Sequence, residues 1–355
     1  MGSLPALIWS AILSNKYSVM GADLEYLFLP EHCLFLLGYC SSGDFSLLIL
    51  FKMAFGLGGF FMFNIAELLQ SFPIKDDGLS PTLLNGVNLF QATSHVSRIQ
   101  TVYKPSICIV IQGYKIAYLG NEEFRYDANH YLVVSVAMPM EYETFASPEE
   151  PVRGLVIDID MGQLRDLVGR MDLVTEIGNG GDSSLSCGVG PAVMDEDMLD
   201  ATMRLVKCLK SKTETEILGP ALVREVLYRV LCGTKAQVLH SLAMYSDTFS
   251  QVARVLNNIQ HGYAEKLDVE QLAKAANMSV SAFHRAFKEV TSDSPLQYLK
   301  KIRLTKARDF MVQENMKAYI AADKVGYESP SQFSREFKRY FGQSPAELIK
   351  EMRAI

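Results

Sequence analysis

Ser279–Lys288 reads SVSAFHRAFK and Ser329–Lys338 reads SPSQFSREFK, so one ten-residue pattern occurs twice, 50 residues apart. The correspondence continues beyond each copy, because Ser294-Pro295 is matched by Ser344-Pro345. Self-similarity at a fixed offset indicates a repeated supersecondary unit. The C-terminal part of the chain is therefore predicted to contain two copies of one unit.

Each copy of the pattern predicts a helix with two different faces. Phe283 and Phe287, like Phe333 and Phe337, are four residues apart and share one stripe, which favours burial. Another stripe of each copy is polar or basic: Ser281, His284, Arg285 and Lys288 in the first, and Ser331, Ser334, Arg335 and Lys338 in the second. Ser279 and Ser329 are suitable N-caps.

A second apolar periodic segment and a tight turn precede each of these helices. Residues 268–276 (DVEQLAKAA) lead to Asn277, and residues 318–325 (AYIAADKV) lead to Gly326. Asn and Gly accept a left-handed backbone, which ends one helix and lets the next leave at a steep angle. The pattern is typical of the helix-turn-helix. An ordinary helical pair with solvated charges is the alternative, and two copies with matched outer faces disfavour it.

Three short sequences in this part of the chain carry a family resemblance. They are VGYES at 325–329, FSREF at 333–337 and GQSP at 342–345. With them, residues from about 250 to 353 resemble the DNA-binding domain of the AraC/XylS family of bacterial transcription regulators. The resemblance implies double-stranded DNA as a partner, bound in two adjacent major grooves, and makes RNA polymerase a further candidate partner.

Position within the two units gives the candidate DNA-binding residues. They are Ser281, His284, Arg285, Lys288, Pro330, Ser331, Gln332, Ser334, Arg335, Lys338 and Arg339. Arg can bind guanine O6 and N7 with two hydrogen bonds, and Gln can do the same for adenine. Lys300, Lys301 and Arg303 are further candidates for contacts to phosphates, which position a protein without specifying sequence. Residues 295–313 are predicted to form a rigid spacer helix between the units.

The charge of the chain is divided unevenly. The whole chain has a net charge of −6, but residues 251–355 contain 17 Lys and Arg against 12 Asp and Glu, or +5, which leaves −11 for the rest. A basic DNA-binding domain joined to an acidic domain explains this division.

Residues 1–61 differ from the rest of the sequence and leave three interpretations open. They are rich in Leu, Phe and Gly, and residues 45–63 contain one charge, Lys52. A run of this length can just span a bilayer. The segment is interpreted as a membrane anchor, as a structured extension, or as sequence upstream of the true start codon, and the last is favoured.

Several short apolar runs separated by turns predict a compact β domain. The clearest are residues 106–111, 114–119, 131–136 and 153–159. YLVVSV at 131–136 and SPEEP at 147–151 also resemble the N-terminal domain of one AraC-type subgroup. The resemblance implies a cupin-like β-barrel, able to hold a small-molecule effector whose contact residues the sequence does not identify.

Residues 161–231 contain helical patterns that flank the predicted barrel. In 217–231 the apolar stripe consists of Leu218, Leu222, Val226 and Val230. Such helices pack on the barrel or pair two subunits, so a homodimer is a candidate assembly. The predicted fold is α+β: a small cupin-like β-barrel with flanking helices, then an all-α domain of two helix-turn-helix units. The predicted boundaries are 1–61, 62–240 and 241–355.

Enzyme function and cofactors are not expected. A metal site of the cupin type needs clustered His and carboxylate ligands, and residues 62–240 contain only His95, His130 and the junction residue His240. A nucleophile elbow and a phosphate-binding glycine loop are absent from the sequence. The six cysteines form no CxxC pair, and Cys108, Cys208 and Cys232 are predicted to be buried thiols in a reducing cytoplasm. A membrane-tethered regulator and a cupin-type enzyme remain the alternative functions.

Overall fold

The chain divides into two units, Met1–Asn64 and Ile65–Ile355. The computed structural model describes residues 17–19, 22–29, 33–38, 65–76, 78–174, 187–244 and 248–352. The first unit contains an antiparallel three-stranded sheet of β1 (Tyr17–Val19), β2 (Ala22–Leu29) and β3 (Cys33–Gly38). The apolar run 45–63 lies outside these residues. None of the helices in the described ranges has both the length and the apolar character needed to cross a membrane.

The second unit begins with a short helix, α1 (65–70), followed by a ten-stranded antiparallel sheet. Its strands are β4 (Gly78–Pro81), β5 (Val87–Ala92), β6 (Val96–Tyr103), β7 (Ser106–Gln112), β8 (Tyr114–Leu119), β9 (Glu122–Asp127), β10 (His130–Val134), β11 (Met138–Phe145), β12 (Val152–Asp158) and β13 (Val189–Val193). The order is β4-β5-β12-β7-β10-β9-β8-β11-β6, with β13 paired to β10. The sheet is a curled half-barrel whose path runs from β4 to β6, and the predicted fold class is confirmed.

Strand β7 occupies the middle of this sheet. Six of its seven residues are buried, so both faces are covered, as its continuous apolar run predicts. The register between β12 and β7 shifts between Arg153 and Gly154, and such bulges bend a strand. A Cβ at Gly154 would lie within 2.1 Å of the Ile109 carbonyl oxygen, so only glycine fits this bend.

The two histidines of the half-barrel are paired with carboxylates. His95 Nε2 lies 3.3 Å from Glu143, and His130 Nδ1 lies 3.2 Å from Asp127. Within the described residues, no three His, Cys, Asp or Glu side chains come together as a metal site requires.

Four helices follow or interrupt the last strands. They are α2 (Met161–Val174), α3 (Glu196–Cys208), α4 (Lys212–Cys232) and α5 (Ala236–Met244). In α4, Val226 and Val230 are buried as predicted, but Leu218 is 48% exposed. Burial of Cys108 and Cys208 is confirmed, whereas the prediction for Cys232 was wrong, because its side chain is exposed at the end of α4.

The remaining helices build the C-terminal domain. They are α6 (Thr248–His261), α7 (Val269–Ala275), α8 (Val280–Thr291), α9 (Pro295–Gln313), α10 (Ala318–Lys324), α11 (Pro330–Phe341) and α12 (Pro345–Met352). Helices α7 and α8 form the first helix-turn-helix, α10 and α11 form the second, and α9 is the spacer.

Local sequence explains where the second helix of each unit begins. The Ser279 and Ser329 side chains accept hydrogen bonds from the backbone N–H groups of Ala282 and Gln332, so both predicted N-caps are confirmed. Ser294 caps α9 in the same way, with Pro295 in its first turn. These caps fix the helices whose outer faces form the candidate site.

Candidate nucleic-acid interface

The paired phenylalanines orient the second helix of each unit. Phe283 and Phe287 are fully buried with ring centroids 5.4 Å apart, and Phe333 and Phe337 repeat the arrangement at 5.4 Å. The face away from these rings is polar in both helices. All eleven predicted DNA-binding residues lie at least partly exposed: Ser281, His284, Arg285, Lys288, Pro330, Ser331, Gln332, Ser334, Arg335, Lys338 and Arg339.

On α8 the exposed face combines a cation with small polar groups. Arg285 forms no ion pair with any residue in the described part of the chain, and its guanidinium is open to solvent. The neighbouring His284 packs its ring edge-on against Phe283, with centroids 6.3 Å apart. The free guanidinium presents donors suited to the O6 and N7 acceptors of guanine.

On α11 an acidic side chain lies among the candidate reading residues. Gln332 Nε2 donates to Glu336 Oε1 over 3.2 Å, and both residues border a surface depression with Arg335 and Arg339. The Gln332 amide nitrogen carries two N–H groups, so this bond leaves one N–H and the Oε1 acceptor for the two contacts that adenine offers. The structure therefore adds a partner for Gln332 that the sequence pattern does not reveal.

Glu336 is held by groups from three elements. Lys300 Nζ on α9 lies 3.0 Å from Oε1, and the Tyr327 hydroxyl donates to Oε2 over 2.8 Å. Burial alone would raise the pKa of the Glu336 carboxyl, but the hydrogen bonds from Lys300, Gln332 and Tyr327 outweigh it and lower that pKa. The charged carboxylate thereby ties α11 to the spacer helix.

The basic cluster of the spacer helix points into the protein. Besides the Lys300–Glu336 pair, Lys301 Nζ lies 2.8 Å from both carboxylate oxygens of Asp293, and Arg303 donates to backbone carbonyl groups. That Lys300, Lys301 and Arg303 contact phosphates stays a prediction, and each of them is engaged within the domain in this arrangement. Their positive charges serve contacts within the domain.

The two turns adopt the left-handed backbone that their residue types predict. Asn277 has φ of 53° and Gly326 has φ of 85°. The second turn is also tight, because a Cβ at Gly326 would lie 2.2 Å from the carbonyl oxygen of Ala264. Glycine is thus required at this turn both for its backbone angle and for space.

The half-barrel contacts the spacer helix α9 and helix α8 directly. The buried Tyr298 hydroxyl on α9 donates to the carbonyl oxygen of Ala137 over 2.7 Å, and Arg308 Nη1 donates to that of Gln100 over 2.5 Å. Near the end of α8, the Val290 carbonyl accepts from the Gly188 N–H over 3.2 Å. The sequence pattern missed these three contacts, because Tyr298 and Arg308 resemble ordinary helix residues when only their sequence neighbours are considered.

Two family models match the chain. The model described as "AraC-type transcriptional regulator N-terminus" matches residues 83–238, and the model described as "Helix-turn-helix domain" matches residues 272–351. The chain belongs to the AraC family of transcriptional regulators. The second match contains all eleven candidate DNA-binding residues of this AraC-type chain.

Similar curated proteins are regulators from several bacteria. The RCS-specific HTH-type transcriptional activator RclR of Escherichia coli is 32% identical over 133 residues, which cover 38% of this chain and 44% of RclR. The lactose operon transcription activator of Staphylococcus xylosus is 22% identical over 249 residues, which cover 70% of this chain and 84% of the activator. The alignments span between 28% and 44% of the length of the first three relatives.

Similar solved structures include ToxT and the DNA-binding domain of AdpA. ToxT of Vibrio cholerae, solved with a bound unsaturated fatty acid, matches 76% of this AraC-type chain and 96% of its own chain, with 11% identity and a TM-score of 0.49. The DNA-binding domain of AdpA, solved with a target DNA, matches 29% of this chain and 94% of its own, with 32% identity and a TM-score of 0.28.

Proposed function

We propose that this chain is a sequence-specific DNA-binding transcription regulator. The observation that carries the proposal is the pair of helix-turn-helix units with exposed polar faces, joined by one spacer helix. A helix of 19 residues is about 28 Å long, close to the roughly 34 Å that separates major grooves on one side of DNA. A spacer of that length suits readers that enter successive grooves.

The proposed roles follow from side-chain chemistry. Arg285 and Arg335 provide the base contacts with the largest discrimination, and Ser281, His284, Ser331, Gln332 and Ser334 lie beside them on the exposed faces. Lys288, Lys338 and Arg339 follow one or two turns later and contact phosphates. Pro330 presents an apolar surface at the start of α11.

The half-barrel is proposed to control the DNA-binding domain. Its hydrogen bonds to α8 and α9, through Gly188, Gln100 and Ala137, give it a physical route to the spacing and orientation of both units. A small-molecule effector bound at the barrel would act through this route. The proposal also includes pairing of two copies of the chain and contact with RNA polymerase. It further includes action in the cytoplasm and the absence of catalysis.

The test is selection of bound duplexes from a random pool by the full-length chain. Wild type is compared with Arg285→Ala and Arg335→Ala, and with Arg170→Ala as a control, since Arg170 lies exposed on α2 and pairs with Asp166. We expect two short motifs centred about one helical turn apart, each relaxed by one variant by roughly 5- to 150-fold in discrimination. Binding that is sensitive to salt but enriches no sequence would refute specific reading.

A further inference from the structure

A cleft of about 640 Å³ lies between the half-barrel domain and the DNA-binding domain. Its walls come from the turn between β6 and β7, from α2 and α5 on one side, and from α6 and α9 on the other. A volume of this size is typical of sites for small molecules. The cleft is separate from the exposed faces of α8 and α11, because none of the eleven candidate DNA-binding residues lines it.

The charge of this cleft is one-sided. Among the described residues that line it, 19 in number, none is Asp or Glu, although the chain as a whole is acidic. Five of them are basic: Lys104, Arg165, Arg254, His261 and Lys306. Like charges converging on a concave surface repel one another, and the low-dielectric walls focus their field. An anion in the cleft relieves that repulsion.

Helix α6 adds hydrogen-bond donors to the charges. Arg254, Asn257, Asn258 and His261 lie at i, i+3, i+4 and i+7, so they form one stripe along the wall. The opposite stripe of α6, which includes Val252, is buried. His261 Nδ1 donates to the Asn257 carbonyl oxygen over 2.8 Å, which fixes the ring and leaves Nε2 for another contact.

The cations that line the cleft belong to different domains. Lys104 lies at the turn before β7, and Arg254 lies on α6. The ion pairs formed among the described residues include neither of them. Lys306 projects from the spacer helix, with Nζ 5.9 Å from the Tyr263 ring centroid.

We propose that this cleft binds a small polyanion, a metabolite with two or more carboxylate or phosphate groups. A single anionic group neutralises one of these cations, whereas a molecule with separated anionic groups neutralises Lys104 together with Arg254 and Lys306. Such a ligand bridges the half-barrel, the spacer helix α9 and helix α6. Its binding does not require DNA, and its influence on DNA binding rests on the proposed function.

The experiment is titration calorimetry of the full-length chain without DNA. The probes are citrate as a tricarboxylate, fructose 1,6-bisphosphate as a phosphate ester, and decanoate as a monocarboxylate with an apolar chain. The variants are Lys104→Gln and Arg254→Gln, and the control is Lys212→Gln, an exposed lysine at the start of α4 that does not line the cleft. We expect saturable binding of citrate or the bisphosphate, weakened at least about tenfold by each cleft variant and unchanged in the control.

Three outcomes would overturn the proposal. They are saturation by decanoate alone, equal affinity of all variants for the polyanions, and no saturable binding of any probe. A parallel measurement of DNA affinity separates the sources of phosphate: if the cleft variants weaken DNA binding while the wild type binds no probe, these cations contact the DNA backbone instead. Failure of the polyanion to bind leaves the duplex selection unaffected, so the two proposals fail independently.

Discussion

The Arg303 guanidinium donates from Nη1 to the carbonyl oxygen of Gly326 over 3.0 Å, which joins the spacer helix to the turn of the second helix-turn-helix. The same side chain donates from Nε to the carbonyl oxygen of Tyr263 over 2.6 Å, and from Nη2 to those of Ala264 and Glu265. Burial lowers the pKa of Arg303, and the nearby Tyr327 and Glu336 oppose this shift. One planar group thus connects the loop before α7 with the turn of the second helix-turn-helix through backbone atoms.

Replacing Arg303 with lysine keeps the charge but removes this arrangement. The ammonium group of lysine cannot reach four carbonyl oxygens, so some remain without a donor. We expect Arg303→Lys to lower the free energy of unfolding by about 2–4 kcal/mol, measured by urea denaturation. Lys274→Arg on the exposed side of α7 is the control for a Lys/Arg exchange and should stay within about 0.5 kcal/mol of wild type. If Arg303→Lys lowered the free energy of unfolding as little as the control does, the Arg303 hydrogen bonds would not stabilise the domain as proposed.

Gly326 and Gly342 form a matched pair of left-handed glycines. Gly342 has φ of 78°, and a Cβ added there would meet open space, with no packed neighbour among the described residues within 4 Å. Gly342→Ala therefore carries only the backbone cost of about 1–2 kcal/mol. Gly326→Ala carries the same cost and also places a methyl group against the Ala264 carbonyl oxygen. We expect Gly326→Ala to be the more destabilising by at least about 1 kcal/mol in the same denaturation assay. Equal losses would show that the turn can open.

The parts of the fold that depend on local periodicity could be predicted from sequence. The Phe283 and Phe287 pair, the caps Ser279 and Ser329, and the turn at Gly326 each follow from residues within one or two helical turns. The buried strand β7 was predictable for the same reason, since its apolar run is continuous. Local sequence is sufficient here because each of these features is decided by its own neighbours.

The parts that depend on distant partners could not be predicted. Arg303 lies about 40 residues from Tyr263 in sequence, so its role is invisible until the helices pack. Glu336 lies 36 residues from Lys300, so the ion pair between them could not be predicted from the sequence neighbours of either residue. Strand β6 (VSRIQTVY) was missed because it lies at the end of the sheet and its residues are exposed or half-buried, so it lacks a continuous apolar run.

Variants of Lys338 and Lys300 compare a lysine proposed to contact phosphate with a lysine held in an ion pair within the protein. Lys338 is exposed on α11, whereas Lys300 pairs with Glu336. We expect Lys338→Gln to reduce the slope of log affinity against log salt concentration by about 1 on the selected DNA. Lys300→Gln should leave the slope unchanged. Equal slopes for wild type and Lys338→Gln would show that Lys338 does not contact a phosphate.

A variant that loses the hydrogen bond between Tyr298 and Ala137 tests how strongly the half-barrel is attached to the spacer helix. Tyr298→Phe removes the hydroxyl that donates to the Ala137 carbonyl and accepts from Gln260 Nε2 over 3.1 Å. Because Tyr298 is fully buried, we expect the free energy of unfolding to fall by about 1–3 kcal/mol and amide exchange near residue 137 to accelerate. Tyr319→Phe, at a residue 59% exposed on α10, is the matched control and should change neither quantity.

Buried phenols set an alkaline limit to stability. Burial and the neighbouring Asp195 raise the pKa of Tyr131 to about 12, and burial raises the pKa values of Tyr126 and Tyr298 further. The folded state therefore favours the neutral phenols, and their contribution is fully present below the unfolded pKa of about 10 and is lost as pH rises through the folded values. We expect these buried tyrosines, followed by absorbance at about 295 nm, to ionise only together with loss of the far-ultraviolet circular dichroism signal. Ionisation of Tyr126, Tyr131 and Tyr298 near pH 10 with the fold intact would contradict their burial.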